Sequence, residues 1–186
     1  LFGWEEIVCS RCAARLFLPN QIIRQQTMWN DYALARGLHV LAVLMWIGGV
    51  GLVTTVLIPA IRREAPVGQA YARFQAIEHR FAAQARGWVL LAGVSGAWML
   101  HTTAGWGRLA NTSWLHAMLA VWGVFFMMLF VLEPLLMHRI LAAKAQRDDA
   151  GTMRLLARMH WVLLTVSLVT TLLGVVGAHG GWRLGA

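Results

Sequence analysis

Seven histidines are the residues of this 186-residue chain best suited to hold a metal or a cofactor, and they fall at or near the borders of long apolar runs. His39, His101, His116 and His179 lie towards one end of those runs, and His79, His138 and His160 towards the other. An imidazole carried into hydrocarbon must pair, hydrogen-bond or ligate. Two imidazoles facing one another between helices can hold the iron of haem b, the porphyrin filling the gap. Depth allows two sets of pairs. His39 meets His116, and His79 meets His160, if the helices carrying them are diagonal neighbours. Alternatively His101 meets His116 and His79 meets His138 across adjacent helices. His79 and His101 are 22 residues apart, as are His116 and His138, which puts each pair within roughly 40° of one helix face. The candidate metal ligands are therefore His39, His116, His79 and His160, with His101 and His138 joining them as cofactor contacts in the second arrangement. One or two haem b groups are the expected cofactor.

Arg36, one turn before His39 and on its face, and Arg86 are placed to bind haem propionates. Arg86 and Glu133 also read as one layer of opposite charge that neutralises itself, with proton carriage as the alternative use of Glu133. Gly93 and Gly174 each follow a histidine, His79 and His160, by 14 residues. The missing side chains there serve close helix packing or, alternatively, admit a flat macrocycle. Met45, Met99 and Met118 offer thioethers to Cu(I), the alternative cofactor, although methionine in an apolar chain is more often filler. Cys9 and Cys12 form a single Cys-x-x-Cys, too few ligands for a closed cysteine-only zinc site.

The elements that carry these residues are membrane helices. The chain is 59% hydrophobic and 13% charged, with ten Trp and nine Met, more apolar surface than a soluble domain of this length buries. The patterning predicts four spans at about 33–61, 85–103, 114–137 and 159–178. They form an all-α, integral membrane, up-down-up-down four-helix bundle occupying residues 28–186, with residues 1–27 read as an N-terminal extension and not a signal peptide. Trp29, Trp106, Trp114, Trp161 and Trp182 stand at span borders, as an aromatic belt does. Pro134 is expected to kink span three.

With residues 1–27 set aside, ten basic residues from Arg62 to Arg158 flank the spans on one side, against Arg36, Arg108 and Arg183 on the other. Positive-inside placement then puts both termini outside the cytoplasm of a bacterial-type inner membrane. The same clustering explains the net charge of +8 as topology and argues against nucleic acid as a partner.

The run Gly37-Leu-His-Val-Leu-Ala-Val-Leu-Met-Trp-Ile-Gly-Gly49 resembles the first membrane helix of the copper resistance protein D family and of its relatives, the HemJ-type protoporphyrinogen oxidases. Phe74-Gln-Ala-Ile-Glu-His-Arg-Phe81 resembles the entry to their second helix, and Trp114-Leu-His-Ala-Met-Leu119 the start of their third. The resemblance implies haem b at His39. It also departs from the HemJ-type pattern, which has a lysine near the start of the third helix where this chain has His116 and no lysine in the span.

The expectation is therefore a haem b-binding, cytochrome-like inner-membrane protein for electron transfer, working with a quinone or redox partner protein and as an oligomer or a subunit of a larger complex. Copper transport or resistance is the alternative, and protoporphyrinogen oxidation the second. If the chain is an enzyme, it is an oxidoreductase.

Overall fold

The computed structural model describes residues 31–103, 105–109 and 111–179, and all their regular structure is helical. Helix α1 runs over Asp31–Glu64, α2 over Ala70–Thr102 and the short α3 over Trp106–Leu109. Helix α4, Ser113–Met127, passes through a π-helical stretch, Met128–Met137, into α5, His138–Arg147. Helix α6 covers Asp149–Ala178.

Three runs are long and apolar enough to cross a bilayer: Asp31–Glu64, Ser113–Leu136 and Asp149–Ala178, with mean hydropathies of 2.3, 2.3 and 2.1. The expected second span does not join them on length and composition. It forms the C-terminal half of α2, where the apolar run from Gly87 to Leu100 is only 14 residues. At ~1.5 Å per residue that is roughly 21 Å, short of a ~30 Å hydrocarbon layer.

Both π-helical stretches trace to proline. Pro59 and Pro134 lack the amide proton of the helical ladder, and their rings press on the preceding turn. In α1 the backbone loosens over Val53–Leu57, where the Ile58 N–H donates to the Val53 carbonyl. Thr54 and Thr55 donate their hydroxyls to the Val50 and Gly51 carbonyls, at 2.6 and 2.8 Å. Instead of a simple kink, Pro134 sits inside the ten-residue π stretch. There the i→i+5 partner of the Leu129 carbonyl is Pro134 itself, which has no N–H to give. That orphaned carbonyl is taken by a side chain from α2, described below.

The α5–α6 junction pins the start of α2. Asp148 caps α6, accepting the Gly151 N–H at 2.7 Å. Asp149 reaches across to accept the N–H groups of Ala70 at 3.0 Å and Tyr71 at 2.9 Å, two of the donors that any helix N-terminus leaves unpaired.

The buried residues form two cores. One, at the end rich in Arg and Lys, packs Ile58, Ile61, Tyr71, Phe74, Leu141, Met153 and Leu156 together. The other, around the helix middles, packs Ala42, Trp46, Val50, Val89, Ala92, Phe125 and Leu164. Trp46 meets Phe125 edge to face at 4.7 Å between centroids. Gly93 and Gly174 serve this packing: a Cβ on Gly93 would lie 2.6 Å from the Trp122 ring, and one on Gly174 would lie 2.8 Å from the Met118 sulfur. The space those glycines leave is filled by neighbouring side chains and not held open for a macrocycle.

Candidate functional site

Only two of the histidines whose side chains are described point inward. Along α1 the buried positions run Ala35, Ala42, Trp46, Val50 and Val53, and His39 falls in that 3–4 spacing. Its Nδ1 lies 2.9 Å from the Ala92 carbonyl and 3.2 Å from the Ser95 hydroxyl, both of α2. A carbonyl only accepts, so Nδ1 carries the proton and Nε2 keeps its lone pair. Along α6 the stripe Met153, Leu156, Leu164 and Ser167 includes His160. Its Nδ1–H donates to the Leu156 carbonyl at 3.0 Å, and Phe74 stands edge-on to its ring at 5.8 Å.

The remaining candidates lie outside the cores. His79, His101, His116 and His179 are exposed, as is Arg36. His101 rests beside Trp98, and His179 donates to the Val175 carbonyl of its own helix at 2.8 Å. The backbone of His138 opens α5, and its side chain lies outside the described residues, as do Cys9 and Cys12. With His39 turned onto α2 and His116 exposed on α4, that pair is not assembled across the core. His160 is likewise inside while His79 is outside.

Arg86 and Glu133 do meet. Arg86 ion-pairs with the Glu133 carboxylate, and its Nε–H donates to the Leu129 carbonyl at 3.1 Å, the acceptor that Pro134 leaves free. The guanidinium thus spends its donors on a carboxylate and on a carbonyl made available by the π stretch.

Beside this pair, at the seam of the two cores, lies a partly open cavity of about 70 Å³. Its polar wall is Glu78, Glu133, His160, Tyr71 and Gln75. Its apolar wall includes Trp46, Phe74, Phe81 and Phe125. Burial, and next the negative charge of Glu133, push the Glu78 carboxyl up to about 7, with Arg86 pulling the other way. Burial, then Glu78, also raises the Tyr71 phenol. The Trp46 indole N–H is buried with no hydrogen-bond partner, which calls for an acceptor such as water inside the cavity. At ~10–15 Å³ per water-sized site, the cavity has room for a few waters.

A porphyrin does not fit this arrangement. Cofactor pockets begin near ~300 Å³, and a larger space among the described residues, an open groove of about 510 Å³ along α4 and α6, is lined by Ala120, Gly123, Val124, Met127, Met128, Leu132 and Met159, with no histidine. Among the described residues no three His, Cys, Asp or Glu side chains come close enough to share a metal ion. Met118, one of the thioethers considered for copper, is packed against Gly174.

Glu78 is the residue that the depth of the histidines does not reveal. No family model, curated protein or solved structure matches this chain.

Proposed function

We propose that this chain is an inner-membrane protein crossing the bilayer four times, whose working centre takes up and releases protons at Glu78. In this reading the C-terminal half of α2 supplies the fourth crossing. Its first charge, Arg86, is neutralised by Glu133, and α2 as a whole, 33 residues, is about 50 Å long. The end rich in Arg and Lys faces the cytoplasm, with both termini on the other side.

One observation carries the reading: the Glu78 carboxyl shares a largely apolar cavity with Glu133, the partner of Arg86, and with an imidazole whose Nε2 is free to accept, and its burial there pushes it up to about 7. Groups of this kind, buried beside a charge partner, bind and release protons at working pH. The test is the infrared C=O stretch of a protonated carboxyl, followed against pH in purified protein. A band with a midpoint near pH 7, absent in Glu78→Gln, supports the proposal; a wild-type protein with no such band refutes it.

A redox role remains as a second reading on the strength of His39. A ring whose Nδ1–H is anchored on a carbonyl presents Nε2 as a ligand, the usual preparation of a metal-binding histidine. Haem b, with a quinone or redox protein as partner, requires the helices to part from the packing described above. Absorption spectra of the purified protein before and after dithionite decide the matter: a haem spectrum altered in His39→Ala establishes this reading, and a colourless protein ends it.

A further inference from the structure

We propose that the Glu78 cavity binds a small protonated amine, of the size of ammonium or methylammonium, in exchange for a proton. The inference rests on the proton-exchange reading above and names what competes with the proton.

The acceptors suit such a guest. The Glu78 and Glu133 carboxylates and the His160 ring all border the space, and the His160 Nδ1–H is already spent on Leu156, leaving Nε2 as an acceptor. An ammonium group carries only donors. The charges suit it as well. The groups lining or adjoining the cavity are Arg86 and Tyr71 from α2, Glu133 from the π stretch and His160 from α6, while α1 contributes only Trp46 and Val50. Arg86 neutralises Glu133, so ionising Glu78 leaves a single negative charge, matched by a monocation.

The walls and the volume narrow the class. Trp46, Phe74, Phe81 and Phe125 line the rest of the space, and aromatic faces attract ammonium groups. A hard metal ion asks instead for about six oxygens, which two carboxylates do not supply. A volume of about 70 Å³ accepts methylammonium with a water, the latter answering the unpaired Trp46 N–H. It is half of the ~150 Å³ cavity that takes benzene, too small for tetramethylammonium.

The exchange balances. The Glu78 O–H bond breaks and its proton leaves to water, while the incoming cation pairs with the carboxylate without forming a covalent bond. One positive charge enters as one leaves.

The experiment titrates the purified full chain at pH 7 with methylammonium chloride, sodium chloride or tetramethylammonium chloride, following the Glu78 carboxyl band and the release of protons to an indicator dye. Expected is a saturable loss of at least half the band with methylammonium alone, release of up to about half a proton per chain because Glu78 is about half protonated at this pH, and no response in Glu78→Gln. His160→Phe, which removes an acceptor, weakens methylammonium binding about tenfold. Equal responses to sodium and methylammonium, or none to either while the band still titrates with pH, overturn the amine site and leave the proton site standing. A protein with no titrating band overturns both.

Discussion

At one end of the molecule His39 gives its Nδ1–H to the Ala92 carbonyl across a packed α1–α2 contact. A Cβ on Gly96 would lie 3.3 Å from its ring, so the imidazole is seated closely. At the other end His160 also donates its Nδ1–H to a carbonyl, but its ring borders a cavity shared with two carboxylates. The same side chain is a packing element in the first place and part of an acid–base cluster in the second. The difference comes from the backbone around it. Pro134 opens the ladder near the cavity and frees the Leu129 carbonyl, and that carbonyl anchors Arg86 beside Glu133. Near His39 no proline interrupts α2, and the imidazole meets a helix whose ladder is intact.

Breaking the charged layer has the largest expected effect. Arg86→Met leaves Glu133 unpaired in a half-buried site and lowers stability in detergent by about 3 kcal/mol, read from thermal unfolding. The double variant Arg86→Met/Glu133→Leu recovers most of the loss, because no charge is then stranded. If the double variant is as unstable as the single one, the pair holds more of the fold than the comparison assigns to it.

Next comes pH. The folded protein holds the Glu78 proton more tightly than a free glutamate does, about 7 against 4.5. Stability from this group is therefore complete below the lower value and lost as pH rises through about 7. Glu78→Gln cannot ionise, so it matches wild type near pH 4.5 and is the more stable protein at pH 9, by up to about 3 kcal/mol. No change in the pH dependence of melting would remove Glu78 from the cavity's titration.

Gly93→Leu should lower stability by about 2 kcal/mol, since the new side chain must displace Trp122, whose Nε1–H donates to the Val89 carbonyl at 2.9 Å. The smallest effect is expected at the first end. His39→Phe keeps a ring in place and loses one hydrogen bond, about 1 kcal/mol, with the Glu78 band unmoved. A shift of that band in His39→Phe would couple the two ends, contrary to the comparison.

Position along the apolar runs is legible in this sequence, but that position alone does not select the inward histidines. Register does. The buried positions of α2 run Tyr71, Phe74, Ala82, Ala85, Val89 and Ala92, and the gap between Phe74 and Ala82 is bridged by Glu78 at the helical spacing. It is the lone acid on an otherwise apolar stripe. His79, one residue further, is turned about 100° away and is exposed. The 22-residue spacing does put His79 and His101 on a common face, and that face looks outward. The Arg86–Glu133 layer was readable because both charges interrupt apolar runs at matching depth.

The apolar runs alone determined that this chain is helical and that three of its helices are long and apolar enough to cross a bilayer, where a helix pairs its whole backbone within one segment. The asymmetry of Arg and Lys likewise set one basic end, as charge beside a span is a property of composition. Which imidazoles turn inward, that the Leu129 carbonyl would take Arg86, and that Glu78 would border a cavity were decided by the packing of the helices. Each of these depends on the rotation of one helix against another, and neighbours distant in the chain fix that angle.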